Sequence, residues 1–200
     1  MKKVFPVLLL ALFMGISVNS FATEVGHKVP DFTLTDSNGI PHSLSEYKGK
    51  FVVLEWTNYD CPFTKKHYES GNIQKLQKTY TEKGVIWLSI NSSAPGKQGN
   101  FTPEEINQKI KERNASPTAY LLDTKGSVGR VYGAKTTPHM FIVDPQGMLI
   151  YKGGIDDKPS TDQADIATAN NYVSAALDEA MNGQPVTDAS TDSYGCSVKY

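Results

Sequence analysis

The apolar positions of this chain fall into two periods. Phe51 to Trp56 and Val85 to Ile90 are near-continuous apolar runs, as expected of central strands covered on both faces. Val29 to Leu34 alternates apolar and polar residues and predicts a short strand. A turn at Asp36-Ser37-Asn38-Gly39 and a return strand over Ile40 to Leu44 make it an N-terminal hairpin. Ser45 to Tyr47 fits one helical turn. Pro62 to about Thr81 carries Ile73, Leu76 and Tyr80 at helical spacing, with Gly71 weakening its middle. Thr102 is an N-cap, with Pro103 at the first helical position and Glu104 and Glu105 in the first turn of a helix reaching about Arg113. Tyr120 to Leu122 is a short strand, and Ser127 to Tyr132 a short helix stopped by Gly133. Met140 to Asp144 and Met148 to Tyr151 flank a Pro-Gln-Gly turn and predict a hairpin. A last helix is expected over Asp162 to Met181, with Ile166, Tyr172, Val173, Ala176 and Leu177 facing in. Strands alternating with helices imply an α/β protein with a central mixed β-sheet covered by helices on both faces.

The first 22 residues read differently. Lys2 and Lys3 precede an apolar stretch from Val4 to Met14, and Ser20-Phe21-Ala22 is a small-x-small site. This is the pattern of a removable signal peptide cleaved after Ala22, followed by export, with a bacterial periplasm as the expected destination. Its loss would take away two lysines and no acid, moving the formal charge from -1 to -3. The remaining length suits one domain over 24–183 with a polar tail over 184–200. The charge balance offers nothing to nucleic acid. No later apolar run is long enough to span a bilayer, so no stable membrane insertion is expected after cleavage.

Two cysteines are too few for a disulfide scaffold, and an oxidising compartment would permit them to pair. Cys61 follows a strand and a short polar link, and Pro62 marks the first turn of a helix. Orphan backbone N–H groups and the helix dipole favour a thiolate at that place. Lys65 and Lys66 add to this, whereas Asp60 opposes it. A buried, inert cysteine is the competing reading. Trp56, Tyr59 and Phe63 flank the thiol, either as packing or as the lining of an apolar groove. His67 lies six residues after Cys61 and His139 directly follows Pro138; they read as core or surface histidines, or as a base for the thiol.

This order of features, with Thr136-Thr137-Pro138 before the last hairpin, resembles the thioredoxin-like superfamily. The Val-Pro-Asp-Phe-Thr-Leu opening and the Phe141-Ile142-Val143-Asp144-Pro145-Gln146-Gly147 hairpin are similar to the redoxin branch of peroxiredoxins and TlpA-like oxidoreductases. The ending Gly195-Cys196-Ser197-Val198-Lys199 resembles a peroxiredoxin-like subgroup with a C-terminal Gly-Cys-Ser motif. The resemblance implies a thioredoxin-like fold, a cis Pro138 facing Cys61, and a substrate groove shaped by Thr137 and Pro138 with Trp56 and Phe63. It implies that Glu55 is a buried acid moving protons, with a pKa raised by burial. It also implies a redox nucleophile at Cys61. Such proteins use no organic cofactor; the partners are a thiol or disulfide protein or a small peroxide, with a thiol protein as electron donor. No metal is expected, since a Sco-like copper site needs two nearby cysteines.

The departures are specific. Thr64 stands where thioredoxins carry their second cysteine, so the local disulfide is impossible; its hydroxyl could donate to the Cys61 thiolate instead. Leu54 and Asn58 replace the proline and threonine that precede a peroxidatic cysteine, and Pro138 falls near the usual arginine. Cys196 is therefore the candidate resolving thiol, brought in by a flexible tail. It could also form a permanent disulfide pinning the tail, or stay free. The readings are an exported thiol-disulfide oxidoreductase or peroxiredoxin-like antioxidant protein, and a thioredoxin-like binding module whose catalytic set has decayed.

Overall fold

The computed structural model describes residues 23–200. The expected signal peptide lies outside the described residues. Seven strands form one mixed sheet: β1 (Thr33–Asp36), β2 (Pro41–Ser43), β3 (Val52–Trp56), β4 (Ile86–Asn91), β5 (Ala119–Leu122), β7 (His139–Val143) and β8 (Leu149–Gly153). Their spatial order is β2-β1-β5-β4-β3-β7-β8. β3, β4 and β5 run parallel, and the pairs toward both edges are antiparallel. The helices are α1 (Pro62–Glu69), α2 (Asn72–Thr81), α3 (Pro103–Glu112), α4 (Ser127–Tyr132) and α5 (Tyr172–Met181).

Alternation along the strands splits the core in two. Val53, Trp87, Tyr120, Met140 and Ile142 pack against Ile73 and Leu76 of α2, Ile106 of α3, and Val173 and Leu177 of α5. Val52, Leu54, Trp56, Leu88, Ile90 and Phe141 pack against Phe32, Leu44 and, in and after α4, Val128, Tyr132 and Ala134. The thioredoxin-like, two-sided α/β architecture is the one expected, including the N-terminal hairpin formed by β1 and β2.

Three expectations need correction. The helix over 62–81 is two helices, because Gly71 adopts φ +76 and ends the first one's run. The helix over 162–181 is also two pieces, a 3₁₀ turn at Gln163–Thr168 and then α5. Asn171 accepts from the Ser174 N–H at 3.0 Å, so it caps a new helix and does not continue the old one. The first strand begins at Thr33, four residues later than its alternation suggested.

Residues 184–200 are the polar stretch expected to form a tail. They are laid on the body along most of their length. Thr191 pairs by its backbone with Lys152 and by its hydroxyl with Tyr151 at 2.8 Å. Cys196–Ser197 (β9) pairs antiparallel with Thr136–Thr137 (β6). Lys199 accepts from the Ala94 N–H at 2.8 Å, and the Tyr200 hydroxyl donates to the Ala134 carbonyl at 2.8 Å. The body is cut to receive this segment. A Cβ at Gly153 would overlap Thr191, and one at Gly126 or Gly129 would enter the Tyr200 ring.

Gly153→Ala is expected to lift residues 189–192, lower stability by about 1–3 kcal/mol as overpacking does, and expose the tail to limited proteolysis. A wild-type cleavage pattern and melting temperature would contradict it.

Candidate active site

β3 runs out at Trp56, and Thr57–Asp60 carry the chain to α1. Cys61 is the N-cap of α1 with extended backbone angles, and Pro62 opens the helix. Its own carbonyl accepts from the Lys65 N–H at 2.9 Å, the first bond of the helix. Its side chain therefore stands where a capping oxygen usually sits.

Cys61 is 0% exposed. Its Sγ donates to the Thr137 carbonyl at 3.0 Å, a contact that only the protonated thiol can make. The Thr137–Pro138 peptide is cis, and both residues are buried. β9 lies directly against this strand, with Cys196 opposite Thr137. Both cysteines are free thiols, and the pairing of Cys196 with Thr137 brings the second to the residue whose carbonyl accepts the first. Gly195 is what permits this approach: a Cβ there would overlap the Thr137 carbonyl, and its φ is +125.

The pair is electrostatically unequal. Burial pushes the Cys61 thiol up, but hydrogen bonds to its sulfur from the Cys196 thiol, the Thr137 hydroxyl and the Thr64 N–H outweigh it, and the net shift is downward. Burial, then the bond and charge of Cys61, push Cys196 up to about 11. Cys61 is thus the thiol that ionises first.

Glu55 lies on the α2-facing side of β3 and is 0% exposed. Its Oε1 accepts from the Tyr68 hydroxyl at 2.8 Å. Its Oε2 accepts from the Trp87 indole N–H and the Ser89 hydroxyl, each at 2.8 Å. Burial raises its pKa, and these three donors only partly offset that. Ser89 is the register partner of Glu55 across β3 and β4, which strand alignment alone could have found. Tyr68 and Trp87 gave no local signal.

Two assigned roles are not met in the expected form. The Thr64 hydroxyl is buried with no partner among the described residues; the backbone amide, not the side chain, serves Cys61. Trp56 lines no groove. It shares the parity of Val52 and Leu54, is fully buried against Tyr132 and Phe141, and donates from Nε1 to Ser92 at 3.0 Å. Phe63 is half-buried with its ring against Tyr194, so it lies beneath the tail. His139 accepts from the Lys135 N–H at 3.2 Å and packs its ring at a tilt 4.5 Å from that of Phe141; burial holds its pKa at about 3. His67 is buried and bonded to Asn72 and Tyr194. Among the described residues no group of three or more His, Cys, Asp or Glu side chains could hold a metal ion, and no helix is long and apolar enough to cross a membrane.

A thiol at a strand-to-helix junction facing a cis-proline, on a sheet of this order, defines a redox protein of the thioredoxin-like fold class. The AhpC/TSA family model matches residues 25–152, and the chain belongs to that family. Among known proteins, thiol-disulfide oxidoreductase ResA of Geobacillus kaustophilus is 30% identical over 145 residues, covering 70% of this chain and 78% of that one. A crystal structure of a conserved protein from the same organism superposes with a TM-score of 0.74 at 28% identity, over 88% of this chain and 92% of its own. The thioredoxin domain of a thiol-disulfide oxidoreductase from Bacteroides vulgatus matches in fold, with a TM-score of 0.53 at 21% identity over 74% of this chain and 97% of its own.

Glu55 binds its proton more tightly folded than unfolded. Its contribution to stability is therefore full below the ordinary glutamate range and is lost as pH rises from about 4.3 through its raised folded value. Glu55→Gln can keep the same acceptor toward Trp87 and Ser89 and should remove this slope. Urea midpoints measured against pH would show it as a flatter profile than wild type; parallel profiles would contradict the assignment.

Proposed function

We propose that this chain is an exported thiol-disulfide oxidoreductase in which Cys61 is the nucleophile and Cys196 the resolving thiol. The observation that supports the reading is the pairing of β9 with Thr136–Thr137, in which Cys196 lies opposite the residue whose carbonyl accepts the Cys61 thiol. Export rests on the pattern of residues 1–22 alone.

In the reductive direction the Cys61 thiolate attacks one sulfur of a substrate disulfide, and the other sulfur leaves as a thiolate. The Cys196 thiolate then attacks Cys61 Sγ and releases the remaining substrate thiolate. The substrate gains two electrons, the protein ends as the Cys61–Cys196 disulfide, and an external dithiol restores it. The unequal thiols fit this order: the one that ionises more readily attacks first. Glu55, neutral over a wider pH range than an ordinary glutamate, can hold or return a proton during exchange, and Tyr68, Trp87 and Ser89 keep it in place. Thr137 and Pro138 shape the surface on which the substrate sulfur meets Cys61. No cofactor takes part in these steps.

Disulfide exchange is favoured over peroxide reduction by the residues around Cys61. Asn58 uses its side chain on Asp60 N–H and the Gln98 carbonyl, and Pro138 falls near the position of the usual arginine. A decayed binding module would have no need of a second thiol set against the first.

Mild oxidation followed by peptide mass mapping should give the Cys61–Cys196 disulfide, and the reduced protein should reduce insulin faster than it consumes hydrogen peroxide. Cys61→Ser should abolish the insulin activity. Cys196→Ser should stop turnover at a mixed disulfide that can be isolated. An insulin rate equal to that of Cys61→Ser would leave the binding-module reading in its place.

A further inference from the structure

One cluster of buried and half-buried polar groups near the thiols has no part in the steps above. It joins Lys66 and His67 of α1, Asp156 and Lys158 after β8, and Tyr194 in the tail. Lys66 is 1% exposed, donates to the Lys158 carbonyl at 2.7 Å and stands 4.0 Å from Asp156 Oδ2. The Asn72 side-chain amide donates to His67 Nδ1 at 2.9 Å, which puts the imidazole proton on Nε2. That Nε2 donates to the Tyr194 hydroxyl at 2.9 Å, and the hydroxyl donates to Asp156 Oδ1. Burial and the Lys66 charge hold the His67 pKa at about 3, so the ring stays neutral and the chain of bonds keeps one direction. Phe63 closes against the Tyr194 ring from the thiol side.

Tyr194 is two residues before Cys196, and Gly195 lies between them. On the other side of Cys196 the tail is held more lightly. Val198 donates to the Lys135 carbonyl at 3.0 Å, Lys199 accepts from Ala94, and Tyr200 donates to Ala134 with its ring 4.4 Å from the exposed Arg130 guanidinium. Both tyrosines are half-buried, but Tyr194 is tied by a charge-assisted bond to buried Asp156, whereas Tyr200 is tied to a backbone carbonyl and an exposed guanidinium. Cys61 has no exposed surface, and β9 of the tail lies on the strand whose Thr137 carbonyl accepts its thiol, so no substrate sulfur can reach Sγ in this arrangement.

We infer that residues 195–200 are a strap that lifts from its Tyr200 end to open Cys61, and that Tyr194 is a positioning residue that keeps Cys196 in place for resolution. The second half rests on the resolving role given to Cys196 above; the first does not.

Two measurements on the full reduced chain separate these statements. Iodoacetamide trapping at Cys61, followed by peptide mass, reads strap opening. Equilibration with glutathione reads positioning: Cys61 and Cys196 give two electrons and two protons to glutathione disulfide, forming their own disulfide and two glutathione thiols, and the ratio yields their effective concentration. Tyr200→Ala should speed trapping by about tenfold, since it removes one hydrogen bond and one cation–π contact. Tyr194→Phe should lower the effective concentration by about tenfold through loss of a charge-assisted bond. Should Tyr194→Phe lose its fold by circular dichroism, Asp156→Asn weakens the same bond and should show the same fall. An unchanged trapping rate in Tyr200→Ala overturns the strap. An unchanged effective concentration in the folded Tyr194 or Asp156 variant overturns the positioning role. If wild type forms no Cys61–Cys196 disulfide at any glutathione ratio, the resolving role fails and the positioning role with it, while trapping in Tyr200→Ala still decides the strap.

Discussion

The carbonyl of Thr137 is the point on which this structure turns. It accepts the Cys61 thiol, it lies against a glycine that leaves it room, and its strand is the one that β9 joins. A backbone oxygen at a cis-proline cannot be removed by substitution, so the sequence can adjust only what comes to meet it. On one side that is the helix start carrying Cys61. On the other it is a segment that must be free of a Cβ at 195 and must carry sulfur at 196. The site is therefore divided between the middle of the chain and its end.

A second constraint sits beneath the first. Glu55 is a full carboxyl inside a two-sided sheet, where an unpaired charge would be costly. The chain resolves this with three donors and a raised pKa, which lets the group remain protonated where an exposed glutamate would not. The donors come from α1 and β4, so the acid is rigid as well as buried. Tyr68 sits on the same helix that Cys61 opens. Acid and thiol are thus fixed relative to one another by α1 and by the short link from β3, and the tail plays no part in that relation.

Much of this was legible in the sequence. The apolar runs of β3 and β4, the proline after Cys61 and the Thr102 capping signal are local facts, and they gave the body of the fold. Trp56 shows how a local reading can mislead: nearness to Cys61 suggested a groove, while strand parity with Val52 and Leu54 put it on the far side from Glu55. The broken helix over 162–181 is a contest that Asn171 won, since a capping side chain outweighs a continuous apolar period. The tail was the hardest part. Its polar composition suggested mobility, yet its order comes from backbone pairing and from glycines at 126, 129, 153 and 154, far away in sequence. Periodicity cannot report where a distant strand has left a channel one Cβ deep.

That channel bears on how the molecule is made. A chain is synthesised from its N-terminus, and the body can collapse as soon as its strands are present. The tail residues that pair beside Thr137 emerge after every strand of the main sheet and every helix among the described residues. For that interval Cys61 can meet the Thr137 carbonyl while Cys196 is still missing from the strand beside it. Completion of the site therefore waits on a segment that can dock only after the strand it joins is in place.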